Sequence, residues 1–330
     1  QEVGDLPEYM FWPWVAFGSL VAALLALDLF VFHRRDRTPT LRESALWTLF
    51  WCALALVFNA LIWWWQDKLW PAPKPGHEPA AEFLTGYVVE WALSMDNVFV
   101  FAVIFRFFNI PLKYQYRVLF WGILGAIVLR LLFVVLGSAL IKQFDWVLPL
   151  FGLFLLYTAF KLGLQSESEV DPQKNILLRL ARRFFKVSKG DHREHGNAFF
   201  VREGGRWCFT PLFLVLLVVE STDVLFAVDS VPAIFGISQD VFIIYTSNIF
   251  AILGLRALYF LLAGMMEMFE YLHYGLSAIL GFVGLNMISE YWFQPRGGYF
   301  IPTWGKLAII AMLLGVSIVV SMVLKKGARE

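Results

Sequence analysis

Nine stretches of predominantly apolar residues, each about 20 long, leave this chain few ways to fold. They run roughly over 11–32, 45–65, 84–106, 117–141, 145–164, 211–235, 241–264, 272–292 and 303–324. A helix of that length crosses the hydrocarbon core of a bilayer, and a helix satisfies all of its own backbone there. Composition agrees: of 330 residues, 59% are hydrophobic and only 16% charged, more apolar surface than a water-soluble fold of this size can hide. The expected fold class is therefore an all-α polytopic membrane protein with about nine transmembrane helices and the lipid bilayer as its surroundings. The formal net charge of +1 suggests no nucleic-acid partner.

Basic residues orient the spans. The first ten residues carry no Lys or Arg, the loop after span 1 carries Arg34, Arg35, Arg37 and Arg42, and the Pro-rich loop after span 2 has only Lys68 and Lys74. Arg106, Lys113 and Arg117 follow span 3, and the tail holds Lys325, Lys326 and Arg329. This alternation, broken only at the short loop around His273, puts the N-terminus outside and the C-terminus in the cytoplasm of a bacterial inner membrane. Trp12, Trp14, Trp63, Trp64 and Trp65 then form an outer aromatic belt. The acidic first ten residues lack the positive n-region of a signal peptide.

The segment 165–210 is the one sizeable polar piece, expected in the cytoplasm. KNILLRLARRFF reads as a basic amphipathic helix on the membrane surface, and AFFVREGGRWCFT as a hairpin with a Gly-Gly turn. His192 and His195 could form a weak metal-sensing pair, although exposed histidines in a polar loop are more often simply solvated. Cys52 and Cys208 make neither a disulfide framework nor a zinc pattern.

Within the spans the sequence repeats. FLTGYVVE (83–90) and FLVLLVVE (213–220) match at five of eight positions, and each leads to an acid beside a small polar residue, Asp96-Asn97 and Asp229-Ser230. The next span in each half holds one arginine, Arg130 or Arg256, and the third holds one polar residue, Lys161 or Asn286. Spans 3–5 (84–164) and 6–8 (211–292) thus read as two copies of one unit. Three crossings per copy make the second copy enter from the opposite side, an inverted repeat, with spans 1, 2 and 9 peripheral. All belong to a single transmembrane domain, 1–330.

Charges at bilayer depth are costly and usually functional. The acids are Asp28, Glu90, Asp96, Glu220, Asp223 and Asp229; Arg130, Lys161 and Arg256 offer charge balance. Six negatives against three positives need compensation, which one divalent cation and one shared proton would give. The donors around these acids are Ser94, Asn97, Thr222 and Ser230, so the ligand set is all oxygen, which favours Mn²⁺, Mg²⁺ or Ca²⁺ over Zn²⁺ or Cu⁺. On an ideal helix Glu90, Ser94 and Asn97 share a face, while Glu220 and Asp229 fall on opposite sides. Either span 6 bends near Ser221–Thr222 or Pro232, or Asp229 serves a different partner, such as an arginine.

EWALSMDNVFVF (90–101) and ESTDVLFAVDSVPAIF (220–235) resemble the two signature motifs of the TerC family of integral membrane proteins. SNIFAILGLRALYFLLAG (247–264), FDWVLPLFG (144–152) and the FFVREGG hairpin extend the resemblance over nearly the whole chain. Trp91 stands where some members of the family carry Lys. The family is associated with tellurium resistance, and its bacterial members with manganese homeostasis, chiefly as exporters. The resemblance implies metal-handling residues Glu90, Asp96 and Asn97 in the first copy, and Glu220, Asp223, Asp229 and Ser230 in the second. It implies Mn²⁺ as the transported substrate, with Ca²⁺ or Mg²⁺ less favoured and no organic cofactor.

The expected function is therefore divalent metal export, most simply Mn²⁺ efflux by alternating access with protons as counter-ion. Carboxylates can both bind the metal and take up protons as it departs. The alternative is a metal-binding membrane scaffold or assembly factor without flux; a channel would differ by lacking proton coupling. No HExxH, GxSxG or nucleophile–base pair occurs in the spans, so no enzyme is expected.

Overall fold

The computed structural model describes residues 8–32, 39–70, 78–164, 188, 196, 198–203, 205–263, 272–293 and 301–327. Among them are nine helices long and apolar enough to cross a membrane. They are α1 (Glu8–Phe32), α2 (Leu41–Leu69), α3 (Pro79–Phe107), α4 (Leu112–Gln143), α5 (Val147–Leu164), α6 (Pro211–Phe235), α7 (Val241–Leu262), α8 (Leu272–Phe293) and α9 (Thr303–Gly327). Most extend beyond the apolar stretches at one or both ends, because flanking polar residues continue the helix where caps and water can satisfy its last backbone groups. The chain is an all-α polytopic membrane protein.

Local chemistry sets several starts. Thr40 and Glu43 form a reciprocal capping box at α2, with the Thr40 amide donating to Glu43 at 2.9 Å. Pro occupies the first turn of α3 and of α6, where its missing N–H is no loss. Asp240 caps α7 by accepting from the amides of Phe242 and Ile243. Between α3 and α4 the chain turns at Asn109, whose φ of 51° is left-handed, and Pro111 precedes the new helix. Strands β1 (Phe200–Glu203) and β2 (Arg206–Phe209) pair antiparallel, pivoting at Gly205 with φ +81°. Phe209 stacks on Phe213, centroids 4.6 Å apart, which ties this hairpin to α6. The segment 174–185 and both His192 and His195 lie outside the described residues.

Burial divides the helices into centre and periphery. In the apolar windows, 83% of α7 and 67% of α3 is buried, against 17% of α1 and 22% of α2. Exposed Leu49, Leu132, Phe160 and Val319 are at no penalty against lipid tails, which are as apolar as leucine. What then drives helix association is close packing. α5 and α8 meet at Gly152 and Gly284, and a Cβ on either would lie 2.7–2.9 Å from the other's carbonyl oxygen. The main pairings are α3 with α7, α4 with α6, α5 with α8, α4 with α7 and α3 with α6; α2 packs on α7, and α9 on α8 and α3.

Candidate functional site

Glu90 lies one turn past Gly86 on α3 and ion-pairs with Arg130 of α4; both side chains are 1% exposed. The same guanidinium acts electrostatically on Asp223 of α6, and Asp223 in turn on Glu220. Glu220 reaches α4 because Gly125 leaves room: a Cβ there would collide with both of its carboxylate oxygens. Two helices with acids thus flank the one arginine between them. When all ionise, three carboxylates against one guanidinium leave two formal negative charges, the charge of one divalent cation.

Asp229 is on the other side of α6. The helix is continuous over Pro211–Phe235 with Pro232 inside it. The hydroxyls of Ser221 and Thr222 both donate to the Val218 carbonyl, at 2.8 and 2.7 Å, without ending the helix. An unbroken helix keeps residues nine apart on opposite faces. Asp229 accepts from Thr158 of α5 at 3.3 Å and faces Lys161 of the same helix. Across from it is Asp96, which faces Asp229 and also His273 of α8. The acids therefore form two groups: Glu90 and Asp223 beside Arg130 with Glu220 next to Asp223, and Asp96 and Asp229 with Thr158, Lys161 and His273. Of the two arrangements left open by the sequence, it is the separate partner for Asp229 that is found, and that partner is α5 rather than an arginine.

Arg256 sits with neither group. It ion-pairs with Asp28 of α1, donates to the Tyr116 hydroxyl at 2.8 Å and lies over the Tyr116 ring at 4.3 Å. Asn97 is buried on the Glu90 and Ser94 face of α3. Ser94 Oγ, Asp223 Oδ2, Ser230 Oγ and both amide atoms of Asn248 are buried with no hydrogen-bond partner among the described residues. The oxygens among them are hard donors, the kind a Mn²⁺, Mg²⁺ or Ca²⁺ ion takes. Among the described residues, however, no three His, Cys, Asp or Glu side chains converge as a metal-holding group.

Several interior polar contacts have no counterpart in the sequence reading. Lys306 of α9 is 2% exposed; its ammonium meets Glu290 of α8 at 2.8 Å and donates to the Gly236 carbonyl, just past α6, at 3.4 Å. Asn286 donates to the same Glu290 at 3.1 Å. Ser238 donates to the buried Glu82 at 2.5 Å, and Trp70 donates to Asp240 at 2.7 Å. Such pairs, up to 170 residues apart, leave no periodic signal. His273 could have been found by counting it as the second residue of span 8 rather than as part of a loop.

The family model described as "Integral membrane protein TerC family" matches residues 76–329, from just before α3 through α9. The "Uncharacterized membrane protein STKORF319" of Myxococcus xanthus is 46% identical over 315 residues, covering 96% of this chain and 93% of that protein. The "Putative membrane-bound redox modulator Alx" of Escherichia coli (strain K12) is 47% identical over 276 residues, 83% of this chain and 85% of the relative. The protein of the same name in Photorhabdus laumondii is 43% identical over 314 residues, 95% of each. No solved structure matches.

Proposed function

Because this chain belongs to the TerC family of integral membrane proteins, we propose that it exports a divalent cation, Mn²⁺ before Ca²⁺ or Mg²⁺, from a bacterial cytoplasm. The observation that carries this reading is Glu90 and Asp223 beside Arg130, with Glu220 next to Asp223, inside the apolar spans, with two formal charges left for the cargo. The mechanism is alternating access between the repeats α3–α5 and α6–α8. Their pairings support a two-fold relation: exchanging α3 with α6, α4 with α7 and α5 with α8 turns the α3–α7 pair into α4–α6 and leaves the other three in place.

Cation entering from the cytoplasm is taken by carboxylates of both copies, Asp96 and Asp229 forming one station and Glu90, Glu220 and Asp223 the other. Arg130 is the tethered positive charge that holds Glu90 and Asp223 when no cargo is bound, so that the interior is never left with three bare carboxylates. Protons taken up by the carboxylates as the metal leaves outward complete the exchange. In this reading the N-terminus faces outside and the C-terminus the cytoplasm, an orientation that the distribution of basic residues supports.

The name redox modulator borne by the Alx relatives raises a second reading, redox chemistry at the two cysteines. Here Cys52 on α2 accepts from the Tyr87 hydroxyl at 3.3 Å and Cys208 stands on β2, so the two are not bridged to each other and a manganese cargo fits the chain better than a dithiol. The test is Mn²⁺ flux in proteoliposomes with Glu220→Gln and Asp229→Asn. Transport should fall in both; parental flux in both would remove these acids from the pathway, and binding without flux in the parent would favour a scaffold.

A further inference from the structure

The SNIF stretch (247–250) in the first half of α7 carries a buried asparagine, Asn248. Asn248 is 0% exposed, and neither its amide nitrogen nor its carbonyl oxygen has a hydrogen-bond partner among the described residues. A buried asparagine kept for structure would be hydrogen-bonded, since an unpaired buried polar group bears its full desolvation penalty with nothing to offset it.

The helix register gives its direction. α3 and α7 run the same way: Glu82 meets Ser238 before α7 begins, Gly86 backs onto Ser247, and Phe105 meets the Tyr259 ring near the other end. α4 runs against α7: Tyr259 donates to Gln115 and Arg256 to Tyr116, while Val134 and Ile244 share one apolar cluster. Between those ties Asn248 stands level with Arg130. Tyr259, eleven residues on and so about 20° from Asn248 around the helix, touches both Phe105 of α3 and Gln115 of α4; Asn248 is therefore on the face of α7 turned to the seam between α3 and α4, where Glu90 and Arg130 meet.

We infer that Asn248 is an oxygen ligand for the transported cation, contributed by α7 to the station of Glu90 and Asp223. The inference rests on the transport reading and adds to it a third helix and a neutral donor. A neutral carbonyl oxygen raises the ligand number without disturbing the charge match, which three carboxylates and one arginine already set for one divalent ion. It also suits a hard ion of high coordination number better than a small tetrahedral one. Ser94 Oγ and Asp223 Oδ2, buried and equally without partners among the described residues, supply oxygens of the same kind in the motifs themselves.

The experiment is Mn²⁺ binding to the detergent-purified full chain, read by loss of the free-ion paramagnetic resonance signal, alongside thermal melting. Asn248→Leu should bind about tenfold more weakly, the loss of one good ligand, with a melting temperature no lower than the parent's. Asn248→Asp, which keeps an oxygen, should bind no more weakly than the parent. Parental affinity in the Leu variant, a lowered melting temperature in it, or an Asp variant as weak as the Leu variant would each overturn the inference and leave the transport reading standing. A parent chain that binds no Mn²⁺ would instead overturn the transport reading, and this inference with it.

Discussion

Arg130 has a carboxylate from each acidic helix within its field and is 1% exposed, so its charge is compensated inside the protein or not at all. Removing one member of such a buried pair leaves the other uncompensated, a loss of about 3–5 kcal/mol. Arg130→Met should therefore unfold at clearly lower temperature in detergent, and adding Glu90→Gln to it should recover much of the loss; a single variant as stable as the parent would mean the pair is not closed in solution. Gly125 provides a finer probe, because its missing Cβ is the space the Glu220 carboxylate fills. Gly125→Ala should reduce Mn²⁺ flux while leaving expression and melting near the parent's, since the flexible Glu220 side chain can move away but then leaves its place beside Asp223. The acids themselves were legible in the sequence, because charge at membrane depth stands out against an apolar background. Their grouping was not: which face of α6 meets α4 and which meets α5 is decided by packing at Gly125 and Thr158, and no local pattern encodes it.

At the scale of the helices, α5 and α8 depend on two glycines opposed across their contact. Without a hydrophobic force between helices in lipid, such close approach is the main source of association. Gly284→Val should push the pair apart and sharply lower the yield of folded protein, measured by gel filtration in detergent, whereas Gly18→Val on α1, where a Cβ meets nothing within 4 Å, should not. The number and position of the helices could be read from apolar length alone, and their ends follow from residues such as Thr40, Pro211 and Asp240. Continuity of α6 through Pro232 could not, because a proline in a packed helix is tolerated when neighbours hold it, as Val231, Ile234 and Phe235 are held in a buried cluster.

In the molecule as a whole, α1 and α2 lie outside the family match, yet α1 supplies Asp28 to the buried Arg256 of α7. The counter-ion of Arg256 thus comes from outside the matched region. Asp28→Asn should destabilise the chain by about 3 kcal/mol through the stranded guanidinium, visible as a lower melting temperature, with Mn²⁺ affinity unchanged because Arg256 is apart from the two acid groups. The central claim is export driven by exchange of protons for a divalent cation held between two acidic helices. It is tested most directly by Mn²⁺ flux in proteoliposomes under an imposed pH step, with Glu220→Gln as control. Flux should rise when the step drives protons against the metal and fall to near background in the variant; flux indifferent to both the step and Glu220 would contradict the mechanism.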